Sequence, residues 1–485
     1  MPLIAIFLLR LVFCWAQLDD VWHNVEMPLQ SHFAGFEPPN DEARWSKARQ
    51  LAAAGRQVLL SRLLRTIHSP GDLLSGDKKF KWVQRLTDVF VSRETGFETP
   101  LRNYTGYRAP IVMIGYKLFD RKHHEGNEIK TMSYHPRHLL SALRKGQERF
   151  PRKFVAIGNM DENWSWCGTA ITNRTASWSF TFSRKLGPFR ADQLKEIRPF
   201  LDNPNVIMLV VNQHHNISHP KVISIPRGVL PDVAKVIWDE AQRALRLDTK
   251  KKILAYVASS SWGTRPEIIA CVNRNMQGHL LAERKKIGLR RFMNRLSTSY
   301  AVLAVPGLGY DTFRLWETLA SGSMPVLERG VGLDRTLYRL PALLVDDFAD
   351  VTPALIRQAY VEAVYRADSW DYRRITARYW ERLIFRVSET GSLSTMLKLH
   401  PMTAEDAHFT RPMVPFDCKE LGGCGLGTRR VPSKSCAVNF ETNFTMYNWW
   451  WDQFLQWPEG YPIPGHHYYG KVDPIEFVGS SPVDD

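Results

Sequence analysis

Apolar and polar positions change period along the chain, and the changes mark its elements. Residues 41–68, "DEARWSKARQLAAAGRQVLLSRLLRTIH", place Trp45, Ala48, Leu51, Ala52, Val58 and Leu59 at roughly helical spacing, with Asp41 where an N-cap belongs. From about residue 111 the texture shifts to short runs rich in branched side chains: "PIVMIGY", "KFVAIGN" and "NVIMLVVNQ". Helical patterns, "HPRHLLSALRKGQERF" and "ADQLKEIRPFLD", separate them. Alternation at this interval predicts a parallel sheet covered on both faces. After "ISHPKVISIPRGV" the alternation restarts. "PDVAKVIWDEAQRALR", "TRPEIIACVNRNMQ", "DTFRLWETLAS" and "TPALIRQAYVEAVYRA" read as helices between the strands "KKILAYVAS", "TSYAVLAVP", "SMPVLE" and "ALLVDD".

This pattern predicts an α/β protein with two Rossmann-like domains in series, facing across a cleft. A chain of 485 residues is too long for one ordinary core, which agrees. The expected division is a signal peptide at 1–16, an N-terminal helical extension at 17–100, a first Rossmann-like domain at 101–230 and a second at 231–400. An irregular, aromatic, Cys-containing tail follows at 401–485, where "NWWWDQFLQWPEGYPIPGHHYYG" lacks regular patterning.

Ligands of open parallel sheets sit outside the carboxyl ends of the strands. One such end carries candidate chemistry: "VPGLGYDTFRLWETLASGSMPVL". A strand over 299–305 runs into a turn whose Gly307 and Gly309 tolerate positive φ and close backbone approach. Asp311 stands as the N-cap of a helix over 312–321, and Gly322 as its stop. A helix N-terminus beside glycines offers N–H groups to an anion. Arg314, in the first turn, can reach the same anion with a bidentate fork. Glu317 shares its face and suits a vicinal diol. A nucleotide sugar presents both groups. The alternative is an ordinary strand–turn–helix with a surface Arg314–Glu317 pair. Thr312 replaces the third glycine of a dinucleotide fingerprint, which argues against an NAD enzyme.

"SYAVLAVPGLGYDTFRLWETLASGSMPVL" resembles the C-terminal signature of exostosin-type glycosyltransferases and related enzymes of the GT-B fold. "LPALLVDDFADVTPALI" is similar to the segment that follows it in that family, and "ISHPKVISIPRGV" to the one closing the N-terminal half. The resemblance covers about residues 205–390. It implies an inverting, metal-independent glycosyl transfer from a nucleotide sugar, such as a UDP- or GDP-sugar, with no separate cofactor. Gly307, Gly309, Asp311, Arg314 and Glu317 would form the donor site. Arg265, in "SSSWGTRPE", resembles the arginine that faces the diphosphate; a surface arginine at a helix start is the alternative.

An inverting transferase also needs a base for the acceptor hydroxyl's proton. The candidates follow strand ends of the first domain, in the order Asp161, Glu162, His214, His215. Sequons at Asn163 and Asn216 adjoin both pairs, and a glycan there would crowd a cleft. A non-catalytic carbohydrate-binding protein on the same fold is the competing expectation.

Composition sets the remaining expectations. A net charge of +15 favours an anionic ligand, while scattered basic residues and the lack of any nucleic-acid motif argue against nucleic acid. "MPLIAIFLLRLVFCWAQ" reads as a signal peptide cut after Ala16, with a short signal anchor as the alternative. Sequons at Asn103, Asn163, Asn173, Asn216 and Asn443 agree with an ER or Golgi lumen, or with secretion of the protein. The expected partners are therefore the donor and a glycan or glycoprotein acceptor. Of Cys418, Cys424 and Cys436, two are expected to be bridged. No CxxC pair accompanies them, so no metal site is expected.

Overall fold

The computed structural model describes residues 21–75, 85–91, 96–114, 143–158, 198–211, 219–258, 265–283, 287–305 and 311–399, less a few positions within these ranges. Two five-stranded sheets organise them, and every strand pair in both is parallel.

The first sheet holds β1 (Val89–Val91), β2 (Ile111–Ile114), β3 (Phe154–Gly158), β4 (Val206–Val211) and β5 (Val222–Ser224), side by side in chain order. Side chains alternate between its faces, as the strand period of two requires. Val112, Ile114, Phe154 and Ala156 face one core with Phe97, Leu101, Phe150 and Phe200. Ile111, Met113, Val155 and Ile157 face another core with Trp380, Leu383, Ile384, Val387 and Met396. Those last residues come from the end of the described chain, in helices Ala377–Thr390 and Leu393–Leu399. One face is thus covered by segments that connect its own strands, and the other by chain returning from beyond the second sheet.

The second sheet holds β6 (Ile253–Ala258), β7 (Leu280–Glu283), β8 (Ser299–Leu303), β9 (Met324–Glu328) and β10 (Leu343–Val345), in the order β10-β9-β8-β6-β7. Winding reverses between β6 and β8: the chain leaves β6 for the edge strand β7, then returns past β6 to β8. The α-helices among the described residues are, in chain order, α1 (Glu42–Ala53), α2 (Val58–Thr66), α3 (Glu98–Asn103), α4 (Pro231–Arg246), α5 (Arg265–Asn275), α6 (Leu289–Ser297), α7 (Phe313–Ala320), α8 (Pro353–Tyr365), α9 (Ala377–Thr390) and α10 (Leu393–Leu399).

The helical pattern at 41–68 forms two helices instead of one. Asp41 caps α1 as expected, accepting from the Arg44 N–H at 2.9 Å. Gly55, at φ +63°, then breaks the run. A Cβ there would lie 2.5 Å from the Lys251 carbonyl, so the break is where this segment docks on the second sheet. Trp45, Leu59, Leu60 and Leu63 join the second sheet's core. Ser31 and His32 bind the buried Glu362 of α8 at 2.6 and 2.7 Å, and Arg366 pairs with it at 2.7 Å. Burial pushes the Glu362 carboxyl up, but these hydrogen bonds outweigh burial and hold it below its ordinary value.

Observed and expected boundaries differ in two further places. β1 lies inside the stretch expected as a helical extension, yet pairs with β2 across residue 100. α9 and α10 lie inside the stretch expected as the second domain, yet pack on the first sheet. β1, β5, β7, α3, α6, α9 and α10 were not expected from the pattern at all. The helices expected at 135–150 and 191–202 lie mostly outside the described residues, as do the signal segment and the tail.

Among the described residues, three stretches run between the sheets: 67–75, 225–230 and 366–376. These passages touch. Leu73 bridges Thr376 on one side, and Ser75 bridges Val229 on the other. Leu74 donates its N–H to the Ile375 carbonyl at 3.0 Å and accepts from the Val229 N–H at 2.9 Å. Arg335, buried, reaches from the second unit to the Pro220 and Val222 carbonyls at 3.0 and 2.9 Å.

Candidate functional site

The winding reversal defines where a ligand of the second sheet would sit. β6 ends at Ala258 and α5 begins at Arg265; β8 ends at Leu303 and α7 begins at Phe313. Both connections leave the carboxyl ends of neighbouring strands. The topology therefore brings the Arg265 and Arg314 regions, distant in sequence, to one end of one strand pair.

α7 forms because Leu315, Trp316, Leu319 and Ala320 all bury, and it stops as a helix with a glycine at C′ should. Gly322 lies at φ +68°, its N–H bonding the Leu319 carbonyl and the Ser323 N–H the Thr318 carbonyl, each at 3.1 Å. A Cβ on Gly322 would lie 2.6 Å from the Cα of Leu60, so the stop also seats α7 against α2.

The helix start differs from expectation. Thr312 is the N-cap, and Asp311 is not. The Asp311 carboxylate is 1% exposed and engaged elsewhere: it accepts from the Arg227 backbone N–H at 2.6 Å and from the Trp316 indole N–H. Those two donors draw it away from the α7 amides and make it a brace. The Arg227 guanidinium lies 4.0 Å from the centre of the Phe313 ring, so Arg227 grips the first turn of α7 twice. The Thr312 hydroxyl is buried and has no hydrogen-bond partner among the described residues.

Arg314 and Glu317 form an ion pair at 3.1 Å. It is no exposed surface pair: the Arg314 side chain is 16% exposed and the Glu317 side chain 1%. The guanidinium also stacks 3.9 Å from the centre of the Phe292 ring of α6. Beside this pair, the Tyr256 hydroxyl donates to Glu283 at 2.8 Å, and Arg291 and Arg295 approach the same carboxylate at 3.5 and 3.6 Å. Burial raises the Tyr256 phenol far above its ordinary value, the Glu283 bond adds to the rise, and the Arg314 charge opposes it. Tyr256 is therefore a neutral donor at any ordinary pH. The neighbourhood holds two ion clusters, Arg314 with Glu317 and Glu283 with Arg291 and Arg295. It is built to hold a guanidinium still, which is what bidentate recognition of a phosphate needs.

Of the other expected residues, Arg265 is the first residue of α5 and half-buried. Gly307, Gly309, Asp161, Glu162, His214 and His215 lie outside the described residues. So do Asn163, Asn173, Asn216, Asn443, Cys418, Cys424 and Cys436. Asn103 ends α3 and is exposed. Cys271 of α5 is buried and disulfide-bonded. Sequence reasoning missed Arg227, Phe292 and Phe313. Arg227 sits in "ISIPRGV", but its partner lies 84 residues away, and no local period signals such a contact.

Among the described residues, no group of His, Cys, Asp and Glu could hold a metal ion, and no helix is long and apolar enough to cross a membrane. Compared with known proteins, the chain matches no family model and no curated protein.

Proposed function

We propose that the protein is a glycosyltransferase of GT-B architecture that takes its sugar from a nucleotide-sugar donor held by the second sheet. The observation that carries the reading is the winding reversal between β6 and β8, after which α5, beginning at Arg265, and α7, carrying Arg314, both follow the carboxyl ends of neighbouring strands. Helix starts and arginines at such a point suit a diphosphate. The resemblance of residues 205–390 to exostosin-type enzymes supplies the reaction: inverting, metal-independent transfer to a glycan or glycoprotein. Arg314, held by Glu317 and Phe292, would balance charge on the departing nucleoside diphosphate. Arg265 would meet the same group. The acceptor's base would come from the first domain, with Asp161 the first candidate. The disulfide at Cys271 supports residence in an oxidising lumen, in line with the sequons.

Calorimetry of the purified full chain with UDP and with GDP tests the donor site, and nucleotide release from UDP- and GDP-sugars tests turnover. Binding of either nucleotide at micromolar concentration, with turnover, is the expected result. Binding without turnover over a full acceptor panel would make the protein a carbohydrate-binding relative in function. Absence of binding to both would overturn the reading.

A further inference from the structure

We infer that Arg227 is a positioning residue that ties the passages between the sheets to the first turn of α7. The inference rests on the donor-site reading for its ligand, a nucleoside diphosphate, but on contacts alone for the coupling.

Residues 225–230 are pinned on two sides. On one side Val229 bonds Leu74, and a Cβ on Gly228, at φ +78°, would lie 2.3 Å from the Leu74 carbonyl. On the other side the Arg227 N–H bonds Asp311 and its guanidinium covers Phe313. Asp311 in turn holds the Trp316 indole, one turn into α7. Leu74 belongs to the first passage, and it also bonds Ile375 of the third. All three passages therefore form one ladder, and Arg227 is the rung that extends it to Asp311–Trp316. α7 also packs directly on Tyr372–Ile375 of the third passage, so Arg227 adds a second link, the one that reaches its first turn. A shift of the first sheet moves the ladder, and through Arg227 it moves the turn that would face the diphosphate. Conversely, a ligand that fixes this turn fixes the ladder.

The test is amide hydrogen exchange of the full chain, read on peptides covering residues 225–230 and 311–320, with residues 353–365 of α8 as control. Arg227→Ala keeps the backbone N–H but removes the guanidinium. It should speed exchange at 311–320 by about tenfold and leave α8 unchanged. Arg227→Lys should recover part of the protection. Phe313→Leu should act alike, and the double variant should show no more than the larger single effect, because both remove one contact. In the second arm, Arg227→Ala should weaken UDP or GDP binding by about tenfold with the melting temperature of α8's core unmoved. Unchanged exchange at 311–320, or additive effects of the two substitutions, would overturn the coupling. Nucleotide binding equal to wild type in Arg227→Ala would overturn its positioning role. A wild type that binds neither nucleotide, yet shows the exchange coupling, supports the ladder and overturns the donor reading.

Discussion

Arg314 serves two ends, and a single substitution confuses them. Arg314→Ala would take the ion-pair partner from the Glu317 carboxylate, which is 1% exposed, and breaking a buried pair from one side costs up to about 3–5 kcal/mol. It would also remove a charge-assisted phosphate contact worth roughly 1.5–3 kcal/mol, or tenfold and more in affinity. The expected outcome is a lower melting temperature and weaker UDP or GDP binding. Arg314→Ala/Glu317→Gln should recover most of the stability and none of the affinity, by melting curves and calorimetry run together. Recovery of affinity would remove Arg314 from the donor site. A second residue-scale prediction concerns Lys251. Its ammonium is buried and donates to the Ser297 and Ser299 carbonyls and the Ser323 hydroxyl, and burial pulls its pKa down to about 7. The unfolded lysine titrates near 10.5. Between those values the unfolded chain binds more protons, so this residue's contribution to stability rises with pH from about 7 to 10.5. Below pH 7 the cost of the buried charge is fully present. In urea unfolding at pH 7, 8 and 9, wild type should therefore gain on Lys251→Met at each step. Such groups also show what sequence conveys at this scale. A carboxylate before an apolar helical run reads as a cap, which holds for Asp41. At Asp311 the same local signal is overridden by Arg227 and Trp316, and neither donor is visible without the fold.

Elements were legible where their signal is long or strongly periodic. β2, β3, β4, β6 and β8 stand out as runs of branched residues because both faces of a parallel sheet bury them. β1 escaped because it has only three residues and exposes Phe90 at its centre. β7 escaped because only Leu280 of its four residues is fully buried. The break between α1 and α2 was invisible for another reason: Gly55 alone inside a helical pattern is tolerated, and only the Lys251 carbonyl makes it a stop. The presence of α7 after β8 was readable, and so was its stop at Gly322, though its N-cap was not. A prediction follows for that glycine. Gly322→Ala must hold an L side chain at φ +68° and place its methyl 2.4 Å from the Leu60 Cβ. The strain alone costs about 1 kcal/mol or more, and the overlap adds to it, since backbone atoms of α2 must move. Urea denaturation should show the loss, and Leu60→Ala in the same chain should not restore it, because the Leu60 Cα and N also stand in the way.

At the scale of the molecule, the N-terminal segment is a working part of the second unit. Its Ser31 and His32 supply hydrogen bonds that keep Glu362 charged while buried. The Glu362 pKa lies below its ordinary 4.5, so its contribution to stability is full above pH 4.5 and is lost as pH falls through the lower, folded value. Glu362→Gln should flatten the acid limb of the stability profile, measured by tryptophan fluorescence from pH 6 to 3. The two parallel sheets were legible from alternation alone. Which segments cover them was not, since a buried helix carries no mark of the sheet it will meet. That ignorance has a counterpart in the making of the protein. The first sheet's strands leave the ribosome early, but the side chains that close its second face, Trp380 to Met396, follow only after the whole second sheet. At about 5–20 residues per second, the intervening synthesis leaves Ile111, Met113, Val155 and Ile157 open for on the order of ten seconds or longer. During that interval the nascent chain presents an adhesive apolar plate, and a holdase chaperone is the natural cover for it. A stop codon after residue 376 would make the delay permanent and leave a second sheet able to close beside a first that cannot.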